Sequence, residues 1–146
     1  WLKFEVPEVA PAMTDWALKS NGGKVLMTTS LDERYPPENM LDGHEQSYWI
    51  STGLYPQEVL VELGQKATLR SVKITGTNLK GVRLEGCSED TPVNFKVIGD
   101  SALPDAKGKI ATNDVKAKTD VDIKYLKVII TSGWFDFASV HKISVS

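Results

Sequence analysis

The sequence predicts an all-β domain, an antiparallel jelly-roll β-sandwich with two sheets packed face to face. Three observations predict it. About eight segments of strand length carry apolar residues at alternate positions, the period of a strand with one buried face. Clusters of Gly, Pro, Asn and Asp punctuate them as turns. No amphipathic helix of useful length occurs between them. At 146 residues the chain is one domain by length and long enough for a real core. Closing the strands into two sheets limits exposed edges.

Each element has its own signal. Residues 16–20 read as a brief strand, and Asn21-Gly22-Gly23 as a hairpin turn that tolerates positive φ. Residues 24–30 form a strand rich in Val, Leu, Met and Thr. Residues 36–43 read as one helical turn: Pro36-Pro37 suits its start, and Gly43 suits the left-handed position that ends it. Strands follow at residues 58–63, 68–75, 81–86 and 95–98. The polar stretch 99–120 predicts a long connection with one short strand near residues 109–112. Residues 121–131 give the strongest strand, and residues 139–145 close the chain. Trp49 is the expected cap of the core, with Trp16 and Tyr125 as further core residues.

Composition bounds the function. Hydrophobic content is 41% and charged content 25%, ordinary for a globular chain. The formal charge of −2 removes the electrostatic case for nucleic acid or an anionic membrane. No apolar run reaches transmembrane length, so membrane insertion is not expected. Cys87 has no second cysteine to pair with, and no Asn-X-Ser/Thr acceptor or secretory signal is present. These features point to a reducing, cytoplasmic compartment. Residues 1–12 carry Pro7 and Pro11 and begin with Trp1. They read as a leader or an added extension, with Met13-Thr14-Asp15 as the start of the domain over residues 13–146.

The densest signal is Pro36-Pro37-Glu38-Asn39-Met40-Leu41-Asp42-Gly43, then Tyr48-Trp49, then Thr52-Gly53-Leu54-Tyr55-Pro56-Gln57. The turn brings Asn39, Asp42 and Ser47 together. They offer amide, carboxylate and hydroxyl oxygens, the hard ligands that Ca²⁺ prefers. The same spacing also fits a plain helix-ending turn in which Asn39 and Ser47 cap backbone groups, since it is no EF-hand pattern. Other chemistry is thin. His44 and His141 read as surface or rim residues without the partners that zinc or a nucleophilic triad needs. Cys87 reads as a buried or half-buried structural thiol. Asn21-Gly22-Gly23-Lys24 is no phosphate loop, and the carboxylate pairs lie in solvated turns. No catalytic constellation assembles, so the chain is read as a non-enzyme.

Those residues carry a resemblance. Pro36-Pro37-Glu38-Asn39 with Asp42-Gly43, Trp49 and Gly53-Leu54-Tyr55-Pro56-Gln57-Glu58 resembles a discoidin-type, galactose-binding-like sandwich of the coagulation factor V/VIII C-domain kind. The C-terminal Phe135-Asp136-Phe137-Ala138-Ser139-Val140-His141 narrows it to the intraflagellar transport protein 25 family, also described as small heat-shock-like. The resemblance spans residues 15–145. It implies a jelly roll that holds one structural calcium ion through Asn39, Asp42 and Ser47, where Ser47 replaces an expected threonine but keeps the hydroxyl. It implies a stable heterodimer with a Rab-like small GTPase, alongside other subunits of transport complex B. It also implies work in ciliary protein traffic, in cytoplasm and cilium or flagellum.

Trp134-Phe135-Asp136-Phe137 crowds three large rings into four residues, which strand alternation cannot bury on one side. At least one is therefore expected in solvent or on a partner. Leu54 and Tyr55 form a second apolar loop. These loops also suit the alternative reading, a module binding carbohydrate or lipid head groups, although no basic loop cluster supports it.

Overall fold

The computed structural model describes residues 14–44 and 46–146. Seven strands run through them: β1 (Lys24–Thr28), β2 (Trp49–Ile50), β3 (Gln57–Thr77), β4 (Leu79–Cys87), β5 (Lys96–Ala102), β6 (Ala111–Gly133) and β7 (Ser139–Val145). All pairings are antiparallel, in the order β2-β7-β3-β6-β4-β5, with β1 added to β3. This is the jelly roll that the alternation predicts.

Two long strands make the sandwich. The first half of β3 pairs with β1 and with the 125–130 half of β6, which in turn pairs with β4. The second half of β3 pairs with residues 111–116 of β6 and with β7, which carries β2. The change of partner spans two register shifts, between Glu62 and Ala67 and between Leu69 and Ser71. A bulge bends and twists its strand, so one strand serves both layers. Residues 58–63 and 68–75, read from sequence as two strands, are therefore one. Between the layers lie Val59, Val61, Ile74, Leu84, Leu126, Ile130, Val140 and Ile143, all buried. Trp49 and Tyr125 are buried as expected, Trp16 is partly buried against the core, and Cys87 is buried with its thiol 3.4 Å from the Thr91 carbonyl oxygen.

Two further expectations are corrected. Residues 16–20 are not a strand but a turn leading into the 3-10 segment Lys19–Asn21. Asp15 Oδ1 accepts from the Ala17 N–H (3.1 Å), and Asn21 Nδ2 donates to the Asp15 carbonyl (2.9 Å). Short polar side chains here satisfy the backbone locally and displace a ladder. Gly22, at φ 94°, thus ends a 3-10 turn instead of joining two strands. Residues 99–120 are also mostly strand: β5 runs to Ala102, and β6 begins at Ala111. That part of β6 buries Val115 and keeps polar residues on its outer face, so its composition hid it. The leader expected over residues 1–12 lies outside the described residues.

Candidate functional site

The loop from Pro36 to Ile50 is fastened at both ends. Pro36 (φ −63°, ψ 147°) precedes the 3-10 turn Pro37–Met40, where fixed proline φ suits the first position. Met40 and Leu41 are buried, and the Leu41 carbonyl accepts from the Lys19 N–H at 2.8 Å. At the far end Trp49 is fully buried, pairs with Val140 of β7, and donates its indole N–H to the Ser30 carbonyl (3.0 Å). Ser30 is itself held by Gln57, whose side-chain oxygen accepts from the Ser30 and Thr29 hydroxyls. Gly43 adopts φ 82°, which a side chain would strain.

Within this frame Asp42 and Ser47 meet directly, and Asn39 is tied to the Tyr48 carbonyl. Asp42 Oδ1 accepts from the His44 N–H (2.8 Å), and Asp42 Oδ2 accepts from the Ser47 hydroxyl (2.6 Å). Asn39 Nδ2 donates to the Tyr48 carbonyl at 3.0 Å. Each Asp42 carboxylate oxygen keeps lone pairs after accepting once. The donor set is hard throughout: carboxylate, hydroxyl, amide, and the backbone carbonyls of His44 and Tyr48. Its oxygens are of the type calcium prefers, and it carries one carboxylate. Among the described residues no group of three or more His, Cys, Asp or Glu stands close enough to hold a metal.

An aromatic column backs the loop. Tyr35 stacks on Tyr48 (centroids 4.8 Å apart), and Tyr48 on His141 (4.9 Å). Arg34 lies over Tyr35 at 5.5 Å and forks onto Asp32, through Nε to Oδ1 (3.2 Å) and a terminal nitrogen to Oδ2 (2.9 Å). That fork holds the Asp32 carboxyl below the usual carboxylate range. His141 corrects the sequence reading of a surface or rim residue: it is 6% exposed. Strand β7 is covered by β2 and β3 on its two edges and by the column on its face, so period-2 alternation gave no warning. Its Nε2 lies 3.1 Å from the Ser139 hydroxyl, which also meets the Thr77 hydroxyl at 2.6 Å. Ser139 is equally buried.

A second feature lies where β2 leads into β3 and β6 into β7. Leu54 is 90% exposed, and Trp134, Phe135 and Phe137 all reach solvent, more than the one ring the sequence required. Phe135 and Phe137 meet edge to face at 6.4 Å. The Tyr55 hydroxyl donates to the Phe135 carbonyl (2.8 Å), and the Trp134 indole N–H to the Leu103 carbonyl (3.2 Å). Lys80 sits over the Trp134 ring at 4.6 Å. The Tyr55 phenol is pushed above its ordinary pKa chiefly by burial, with Asp136 adding and Ser51 opposing. Among the described residues no helix is long and apolar enough to cross a membrane.

With this geometry in place, known proteins can be set beside the chain. The F5/8 type C domain matches residues 26–143. Intraflagellar transport protein 25 of Chlamydomonas reinhardtii is 34% identical over 133 residues, covering 91% of this chain and 69% of that protein. The human intraflagellar transport protein 25 homolog is 32% identical over 130 residues, covering 89% of this chain and 90% of that protein. Among solved structures, chitosan-binding module 1 of a Paenibacillus sp. IK-5 chitosanase/glucanase superposes with a TM-score of 0.75 at 21% identity, covering 92% of this chain and 99% of that one. The family 32 CBM of Clostridium perfringens NanJ, solved with galactose, gives 0.70 at 16% identity, covering 84% and 92%. At such identities these two likenesses speak for the fold alone.

Proposed function

Because the chain belongs to the intraflagellar transport protein 25 family and carries an F5/8 type C domain, a subunit family of the intraflagellar transport machinery, we propose that it is a non-enzymatic scaffold that pairs with a Rab-like small GTPase. In this reading the pair joins other complex B subunits and supports protein traffic in cytoplasm and cilium or flagellum. The similarity to two intraflagellar transport proteins across about nine-tenths of the chain is the observation that carries it. The buried Ser139–His141 pair and the exposed apolar loops favour binding over chemistry.

One calcium ion belongs to the same reading, held by Asn39, Asp42 and Ser47 with backbone carbonyls completing the shell. The ion supplies charge and rigidity to the loop; a single carboxylate suits a structural ion better than a sensor. The second reading, a module for sugar or lipid head groups, is favoured by one observation, the exposed Leu54–Phe137 tip. Against it, the Tyr55 and Trp134 polar atoms are engaged with backbone carbonyls and leave few donors for a hydroxylated ligand.

The test is co-expression with the Rab-like GTPase of the transport complex, followed by gel filtration. Stable one-to-one co-elution is expected. Separate elution of the two chains at micromolar concentration overturns the pairing.

A further inference from the structure

The tip built from Leu54 and Trp134-Phe135-Asp136-Phe137 is apolar, exposed and fixed. Phe135 is 61% exposed, Phe137 48% and Trp134 42%. Loose loops do not account for that exposure, because the backbone here is tied down. The Trp134 N–H donates to the Asn78 carbonyl (2.9 Å), and the Ser51 N–H to the Ala138 carbonyl (2.9 Å). The Ala138 N–H donates back to the Ser51 hydroxyl oxygen (2.9 Å), and Gln57 Nε2 donates to the Leu54 carbonyl (2.7 Å). The Tyr55 hydroxyl then joins the first loop to the second at the Phe135 carbonyl. Two charges flank the rings. Lys80 lies over Trp134, and Asp136 stands between Phe135 and Phe137 in the chain, both of them exposed. The ion pairs among the described residues are Arg34–Asp32, Arg70–Asp120, Arg83–Glu85 and Lys124–Glu62. Neither Lys80 nor Asp136 is in one of them.

From this we infer that the tip is a two-fold contact surface for a second copy of the chain. Charge chooses the occupant. A two-fold contact is self-complementary, because every pairing across it occurs twice in opposite senses. A patch with one unpaired ammonium and one unpaired carboxylate around an apolar centre fits its own copy. Lys80 of each copy meets Asp136 of the other while the rings pack between them. An apolar aromatic centre with a charged rim is also how protein interfaces are built. A bilayer fits less well: entry of the rings would carry the Asp136 carboxylate out of water, and an anionic leaflet repels it. A sugar finds the Tyr55 hydroxyl and the Trp134 indole N–H already engaged. Four side chains of about 150–250 Å², roughly half of each exposed, stay below the ~800 Å² per partner of a standard interface. Association is therefore expected to be weak, with a Kd on the order of 100 µM.

Sedimentation velocity of the full chain alone, from about 10 µM to about 1 mM, reads the association directly. A monomer–dimer equilibrium is expected. Phe135→Ser with Phe137→Ser removes four rings from a two-fold contact and is expected to weaken it about a hundredfold. Those rings lie in solvent, so the thermal midpoint stays near wild type. Asp136→Lys sets like charges against each other twice and is expected to weaken dimerisation at least about tenfold. Lys80→Asp combined with Asp136→Lys exchanges the two charges and is expected to return the constant to within about threefold of wild type. A chain that stays monomeric at about 1 mM overturns the inference. So does a dimer that survives Phe135→Ser with Phe137→Ser, or an Asp136→Lys loss that the charge exchange leaves unrepaired. Mass that grows past the dimer with concentration marks a head-to-tail contact and also overturns it. Tryptophan fluorescence of wild-type and Trp134→Phe chains, titrated with galactose and with phosphatidylserine vesicles, covers the other occupants. A Trp134 response in a monomeric chain assigns the tip to that ligand instead. A GTPase complex lost in Phe135→Ser with Phe137→Ser assigns the tip to that partner and overturns the self-contact.

Discussion

Asp42 is where a plain turn and an ion site make different predictions. Its carboxylate accepts from the His44 N–H and the Ser47 hydroxyl, at 2.8 and 2.6 Å. Hydrogen bonds to a charged acceptor contribute roughly 1.5–3 kcal/mol when well buried. Asp42 is half-buried, so Asp42→Ala is expected to cost about 1–2 kcal/mol in chelated buffer, at or below the bottom of that range. Asp42→Asn keeps an acceptor oxygen for the His44 N–H and loses the charge, so its chelated stability stays closer to wild type. Calcium separates the two roles. A ligand bound only by the folded state stabilises it by about 2.7 kcal/mol at a hundred times its Kd. For a domain of this size each kcal/mol moves the midpoint by roughly 2–4 °C, so wild type is expected to gain about 5–10 °C. Differential scanning calorimetry with and without millimolar Ca²⁺, under matched ionic strength, reads this directly. Asp42→Asn is expected to lose most of the gain. A wild-type midpoint that does not move, or an Asp42→Asn midpoint that moves just as far, refutes the ion and leaves a self-sufficient turn.

Other expectations follow from the packing. A Cβ on Gly133 would lie 2.1 Å from the Tyr55 hydroxyl and 2.5 Å from Tyr55 Cζ, so Gly133→Ala should displace that ring. Overpacking plus the lost bond to the Phe135 carbonyl comes to about 2–4 kcal/mol in urea unfolding, and a loss below about 0.5 kcal/mol contradicts the packing. Trp49→Phe leaves the Ser30 carbonyl with its Thr28 hydroxyl donor at 2.7 Å, so its cost is mainly a cavity of about 1–3 kcal/mol, against 3–5 for Trp49→Ala. The phenols of Tyr55 and Tyr125 are raised chiefly by burial, and that of Tyr48 first by its hydrogen bonding with Tyr35. A phenol whose folded pKa exceeds its unfolded value of about 10 adds stability that is complete below pH 10 and disappears as pH rises through the folded value. The urea midpoint is therefore expected to fall above about pH 10, and less steeply in Tyr55→Phe with Tyr125→Phe.

What was legible in the sequence is what period-2 alternation and turn chemistry encode. The all-β class, the buried Trp49, the turn before Gly43 and the convergence of Asp42 with Ser47 all follow from residue type at fixed spacing. What escaped depends on long-range pairing. The polar residues 111–116 are a strand because residues 71–76 of β3 accept them, and no local property of the segment says so. The burial of His141 depends on Tyr48, some ninety residues earlier, stacking on its ring. The exposure of Leu26 with Met27 depends on a bulge, which the uniform apolar run Val25-Leu26-Met27 conceals.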